Sequence, residues 1–148
     1  MIYRLATIHE INTLADLRKQ QLADEGISED KDIDVELHNF FMKKMKDGTL
    51  VEWVAEENNV IIATAAIVFY EFPPSYTNES GIKGYITNMY TAPAYRGRGI
   101  AVSLLNKLIT EAKERKVEHL WLSASKMGRP VYRKIGFKDS YDWMDLHI

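Results

Sequence analysis

The chain has 148 residues and no cysteine, which excludes a disulfide framework, a thiolate zinc site and a thiol nucleophile. The absence also fits a reducing cytoplasm. Its longest nearly unbroken apolar run, Val60 to Tyr70, is about half of the ~20 residues that a membrane-spanning helix needs. No membrane span is expected. Met1-Ile2-Tyr3-Arg4 lacks the apolar core and small-residue cleavage site of a secretory leader, so the expected compartment is the cytoplasm. A net charge of -2 leaves no global basic field of the kind that binds nucleic acid unspecifically. His9, His38, His119 and His147 lack paired metal spacing, and His9-Glu10 is followed by Thr13 where a zinc-protease motif needs histidine. No metal is expected. The chain is too short for a TIM barrel, yet 46% hydrophobic positions suffice for one core, which predicts a single domain over residues 1–148.

Periodicity orders the elements. Tyr3 to Ala6 reads as a strand, and Thr7-Ile8-His9-Glu10 has the spacing of a capping box that opens a helix. Ile11, Leu14, Ala15 and Leu22 continue that helix to about Gly26, and acidic Ser28 to Asp34 forms a solvated connector. Leu37, Phe40, Phe41 and Met45 mark a second helix, stopped at Asp47-Gly48. Leu50 to Glu56 and Val60 to Glu71, rich in Val, Ile, Trp and Thr, form a hairpin around Glu57-Asn58-Asn59. Phe72 to Lys83, with Pro73-Pro74 and Gly81, is an exposed loop. A strand over Gly84 to Thr91, a helix from Ile100 to Lys116 and a strand over Val117 to Ala124 form a βαβ unit. A short helix over Arg129 to Ile135 stops at Gly136, and Phe137 to Leu146 is read as a closing β segment or hairpin. The class is α/β, or mixed α+β, with a central sheet flanked by helices.

Chemistry concentrates at Met89-Tyr90-Thr91-Ala92-Pro93-Ala94-Tyr95-Arg96-Gly97-Arg98-Gly99-Ile100-Ala101, between a strand end and a helix start. Glycines at 97 and 99 leave backbone amides uncovered, and the new helix adds its positive end, so the segment forms a concave anion site. A pyrophosphate fits it. Arg96 and Arg98 stand ready for charge-assisted contacts. No Walker loop can be written through either glycine, and the third glycine of a dinucleotide fingerprint is replaced by Val102. Arg96 to Ala101 matches the Arg/Gln-x-x-Gly-x-Gly/Ala signature for acetyl-CoA. Downstream, Ser125-x-x-Gly128-x-x-x-Tyr132-Arg133-Lys134-Ile135-Gly136-Phe137 matches a second block, in which asparagine and alanine are commoner than Ser125 and Gly128.

With both motifs and this element order, the chain resembles the GNAT (GCN5-related) N-acetyltransferases over nearly its full length. The resemblance implies a mixed, mostly antiparallel sheet and an acetyl-CoA-dependent enzyme that acetylates a primary amine without an acyl-enzyme. Backbone groups of Met89, Tyr90 and Thr91 would pair with pantetheine, amides of Gly97, Gly99, Ile100 and Ala101 would hold pyrophosphate, and Ser125 stands where the pantetheine arm is held. Tyr132 matches the tyrosine that protonates the departing thiolate; an ordinary phenol, of pKa ~10, carries its proton at neutral pH. The resemblance also admits a homodimer.

The acceptor side is specified by no motif. An alkylammonium of pKa ~10.4 needs roughly 4 to 5 kcal/mol to free its lone pair at pH 7, so a base or desolvation must help. Glu71, at the end of the third strand, is the first candidate base and Glu79 the second. Tyr70, Tyr76, Tyr85, Asp142 and Asp145 are candidates for lining a cationic acceptor pocket. A non-catalytic acyl-CoA sensor is the alternative; it predicts CoA binding without thiol release.

Overall fold

The structure, a computed structural model, describes all residues from Met1 to Ile148. Five strands form one sheet in the order β1-β2-β3-β4-β5: β1 (Ile2–Leu5), β2 (Leu50–Glu57), β3 (Val60–Glu71), β4 (Ile82–Thr91) and β5 (Leu120–Leu122). The first four pair antiparallel and β5 joins β4 in parallel. Helices α1 (Ile11–Asp24) and α2 (Asp34–Lys46) cover one face, α3 (Ile100–Glu114) covers the other, and α4 (Arg129–Ile135) follows β5. No helix is long and apolar enough to cross a membrane.

Two cores hold these layers. On α3 the helical spacing of Leu104, Leu105, Leu108 and Ala112 buries one stripe against Ala63, Ala65, Ile67 and Ile86 of the sheet. Each such leucine contributes about 2 kcal/mol by leaving water. On the opposite face Ile11, Leu14 and Ala15 of α1 and Phe41 of α2 pack on Leu50, Val54 and Val68. Near the start of the chain the Glu10 carboxylate accepts the Thr7 amide hydrogen at 2.9 Å, as expected of the capping box, and ion-pairs with Arg4.

A buried polar cluster bends the sheet where the site lies. Glu52 on β2 is only 2% exposed; it accepts the hydroxyl hydrogen of Thr64 on β3 and faces the amide of Asn88 on β4, a donor 3.5 Å away. Asn88 adopts φ +54°, and the β3–β4 register shifts between Thr64 and Ala66, so β4 bulges there. Burial raises the Glu52 carboxyl from its ordinary 4.5 to about 7, against the lowering effect of its Thr64 and Asn88 contacts.

This shift has a defined sign. Between pH 4.5 and 7 the folded chain keeps a proton that the unfolded chain has released, so stability falls as pH rises through that window and levels off above it. Glu52→Gln should therefore be more stable than wild type by about 2 to 3 kcal/mol at pH 8, with the difference shrinking toward pH 5. Urea unfolding at the two pH values checks this; parallel curves would show that Glu52 does not titrate in the fold.

The sequence reading of the carboxyl end needs correction. Residues 137–146 form no strand: they pair with no other segment, and Asp139 is held back against α4 by both Arg129 and Arg133. The strand expected over residues 117–124 is confined to Leu120–Leu122, and β4 begins at Ile82, inside the expected loop.

Candidate functional site: a cleft between two diverging strands

Parallel pairing of β4 and β5 ends at Ile86 with Leu122, yet β4 runs on to Thr91. Beyond the bulge the two strands part. Met89, Tyr90 and Thr91 line one wall of a cleft of about 890 Å³, and Ser123, Ala124 and Ser125 line the other. The backbone of β4 has no β5 partner here, so a ligand with amide groups can add to it as a strand does.

The floor is the turn into α3. Gly97 and Gly99 adopt φ of +77° and +78°, the left-handed region that favours glycine, and Gly99 is the residue at which α3 begins. A Cβ placed at either position would meet nothing within 4 Å, so the amides at the positive end of α3 face an open cradle. Gly97, Gly99, Ile100 and Ala101 all line the cleft. The arginines behave differently. Arg96 donates to the Thr91 carbonyl at 2.8 Å and to Asp24 at 2.7 Å, tying the glycine turn to the end of α1. Arg98 lies over the Tyr95 ring, 5.2 Å from its centroid, and does not line the cleft.

Opposite the cradle, Tyr132 on α4 packs its ring edge-on against Phe137 and is 8% exposed. A Cβ at Gly128 would sit 2.9 Å from the Tyr132 ring, which accounts for glycine in place of alanine in the second motif. The Ser125 hydroxyl oxygen accepts the Gly128 amide hydrogen at 3.0 Å, leaving its own hydrogen to donate into the cleft. Burial, then the charge of Glu25, then Tyr85 push the Tyr132 hydroxyl up to about 12.

Glu71 does not join these groups. It pairs with Ile82, whereas Thr64 pairs with Tyr90, so it lies at the far end of the sheet, on the order of 25 Å away along β4. Glu79 lies in the loop beyond Glu71 and does not line the cleft either. Tyr70 and Tyr85 do converge, around Trp121 with Phe72, at ring-centroid distances of 5.0 to 6.2 Å. Tyr76 is fully exposed, and Asp142 and Asp145 lie in the exposed tail. Motif reasoning missed Gln21, Asp24, Glu25 and Ile27, which close the cleft from the end of α1. No pattern in the sequence marks them.

A split parallel pair, an amide cradle at a helix start and a buried tyrosine thus border one cleft. The model of the acetyltransferase (GNAT) family matches residues 7–137, and the chain belongs to that family. It is an acetyl-CoA-dependent acetyltransferase. A predicted acetyltransferase of Clostridium acetobutylicum, crystallised with acetyl-CoA, is 55% identical and superposes with a TM-score of 0.97, over 99% of this chain and 95% of that one. A GCN5-related N-acetyltransferase of Ralstonia eutropha is 25% identical with a TM-score of 0.89, over 99% and 97%. The [ribosomal protein bS18]-alanine N-acetyltransferase of Haemophilus influenzae is 43% identical over 54 residues, spanning 35% of this chain and 37% of that enzyme.

Proposed function

We propose that the cleft transfers acetyl directly to a primary amine, with Glu25 receiving the amine proton and Tyr132 assisting the leaving sulfur. The observation that carries this reading is the open amide cradle at Gly97 and Gly99 lying in the same cleft as the Tyr132 hydroxyl. The cradle fits a pyrophosphate, since it offers amides, a helix start and room where any side chain would intrude. Acetyl-CoA brings an electrophilic thioester carbon and a thiolate able to depart. The chain's own groups do the rest. Backbone groups of Met89 and Tyr90 on the open side of β4 align the carrier arm, the Thr91 carbonyl being held by Arg96; the Ser125 hydroxyl stands ready to donate to that arm, and an amide at the end of β4 meets negative charge developing on the carbonyl oxygen.

Glu25 replaces Glu71 in this scheme on geometric grounds. Asp24 and Glu25 are the two carboxylates of the cleft, and Asp24 is engaged by Arg96. Glu25 accepts only a long 3.3 Å hydrogen bond from Gln21, and its charge acts on the Tyr132 hydroxyl. The incoming ammonium gives a proton to Glu25 as its nitrogen bonds the acyl carbon; the carbon–sulfur bond then breaks and the sulfur takes its hydrogen from the Tyr132 side. The products are an N-acetyl amine, the free thiol and one proton.

Thiol release from acetyl-CoA in the presence of a panel of primary amines tests the reading. Release that depends on an amine supports it; tight acetyl-CoA binding with no release on any amine supports the sensor instead. For an amine so found, Glu25→Gln should lower kcat at pH 7 about a hundredfold while leaving acetyl-CoA affinity within about threefold. Unchanged kcat would remove Glu25 from the proton path. Operation in a reducing cytoplasm, as one domain and without nucleic acid, is supported by the absent cysteine and the net charge of -2.

A further inference from the structure

Tyr70 and Tyr85, candidates for holding a cationic acceptor, do meet, but lysines already stand in the cation's place. Together with Phe72 they pack around Trp121, and all four rings are half-buried, so the cluster stays partly open to solvent. Cross-strand partners share a face of a sheet. Val68, which packs beneath α1 and α2, pairs with Tyr85; Tyr85 pairs with Trp121, and Tyr70 with Lys83. The rings therefore form a wall on the face that carries α1 and α2.

Lys83 lies 4.9 Å from the centroid of Phe72, and Lys44 of α2 lies 5.6 Å from that of Tyr70. Neither ammonium has an ion-pair partner. Asp47, which the Lys44 charge reaches, is occupied by the amide and hydroxyl hydrogens of Thr49. Glu71 pairs with Ile82, which packs in the core beneath α3, so its carboxylate lies on the other face. The His119 imidazole, held below its ordinary pKa by burial and then by the Lys83 charge, is neutral at pH 7 and leaves that charge uncompensated.

The wall abuts the cleft. Ser123, two residues beyond Trp121 and so on the same face of β5, is exposed and lines the cleft about 7 Å further on. From Lys83 to Thr87, where β4 leaves its pairing with β5, the strand covers about 13 Å. An occupant that reaches both joins amine to anion over roughly 10 to 13 Å, which a free amino acid, a single residue long, does not span.

We propose that the acceptor is a primary amine joined through an aromatic body to a distal anion, carboxylate or phosphate, with the body lying along Tyr85 and Trp121 and the anion meeting Lys83 and Lys44. The proposal rests on the acetyl-transfer reading of the cleft and adds the acceptor's chemistry to it. Half-buried ammonium groups over ring faces hold an anion more strongly than fully solvated ones, because less water competes. A cationic tail would meet two like charges that nothing offsets.

Thiol release from acetyl-CoA tests it with tyramine, tyramine phosphate, a tripeptide centred on phenylalanine, which extends over about 10 Å, and the carboxamide of that tripeptide. The expected kcat/KM is at least about tenfold higher for an anionic amine than for its uncharged counterpart. An advantage confined to one pair names the anion as phosphate or as carboxylate. Lys83→Gln with Lys44→Gln should cut the advantage below about threefold, through KM, while Lys83→Arg with Lys44→Arg keeps it. Each ratio is taken within one protein, so a general loss of stability or activity cancels. Amines turned over with no preference for the anion overturn this proposal and leave acetyl transfer standing. A preference that survives the double glutamine variant does the same. No release with these or any other amine overturns the acetyl-transfer reading, and this proposal with it.

Discussion

Gly99→Glu is expected to weaken acetyl-CoA binding at least a hundredfold in calorimetry. Two effects must be separated, because Gly99 holds φ +78° and any side chain there costs about 1 to 2 kcal/mol of backbone strain. That cost falls on stability. Gly99→Ala carries the same strain and places a methyl in space where nothing lies within 4 Å, so its affinity should stay within about tenfold of wild type. The glutamate adds a carboxylate to the cradle that the amides of α3 offer to a diphosphate. Two like charges about 5 Å apart at an effective dielectric near 20 repel by about 3 kcal/mol, which is more than a hundredfold in affinity. Equal affinity in all three proteins would place the cofactor elsewhere.

What the sequence disclosed and what it hid follow from how local each determinant is. The cradle was legible because its glycines, the following helix and the proline before it lie within a few residues and act through backbone geometry. Tyr132 was legible for the same reason, as one member of a short block that ends in Phe137, against which its ring packs. The place of Glu25 in the cleft was not, because only the fold of α1 across β4 brings it there, and its neighbours in sequence are those of any helix end. The Glu71 reading failed on direction: β3 runs away from the cleft, so its last residue lies at the wrong end. Residues 137–146 alternate well enough to look like a strand, but a strand also needs a partner to pair with, which no local pattern supplies, and this segment pairs with none. The Glu52, Thr64 and Asn88 cluster joins three strands, so nothing in a one-dimensional pattern signals it.

Tyr132→Phe should lower kcat about a hundredfold or more and leave acetyl-CoA affinity within about threefold. The ring is 8% exposed and held by Gly128 and Phe137, contacts that phenylalanine keeps, so the change removes one hydroxyl and little packing. The direction of its acidity decides how that hydroxyl works. At about 12 the phenol stays protonated across the neutral range, so the donor is always present. An alkyl thiol is much more acidic, near 8.5, so complete transfer from phenol to thiolate is uphill by roughly 5 kcal/mol. The hydroxyl therefore hydrogen-bonds the departing sulfur without becoming a phenolate: it passes a proton to the sulfur only as it receives one from the nitrogen that is becoming an amide. A fluorinated tyrosine at position 132, with a more acidic hydroxyl, should then turn over at least as fast as wild type at pH 7. Removing the Glu25 charge should make the Tyr132 hydroxyl more acidic in an ultraviolet titration, since that charge helps to push its pKa up. Equal kcat for the tyrosine and phenylalanine proteins would show that the sulfur leaves unaided, and a fluorotyrosine enzyme as slow as the phenylalanine variant would show that the hydroxyl does not act as the donor.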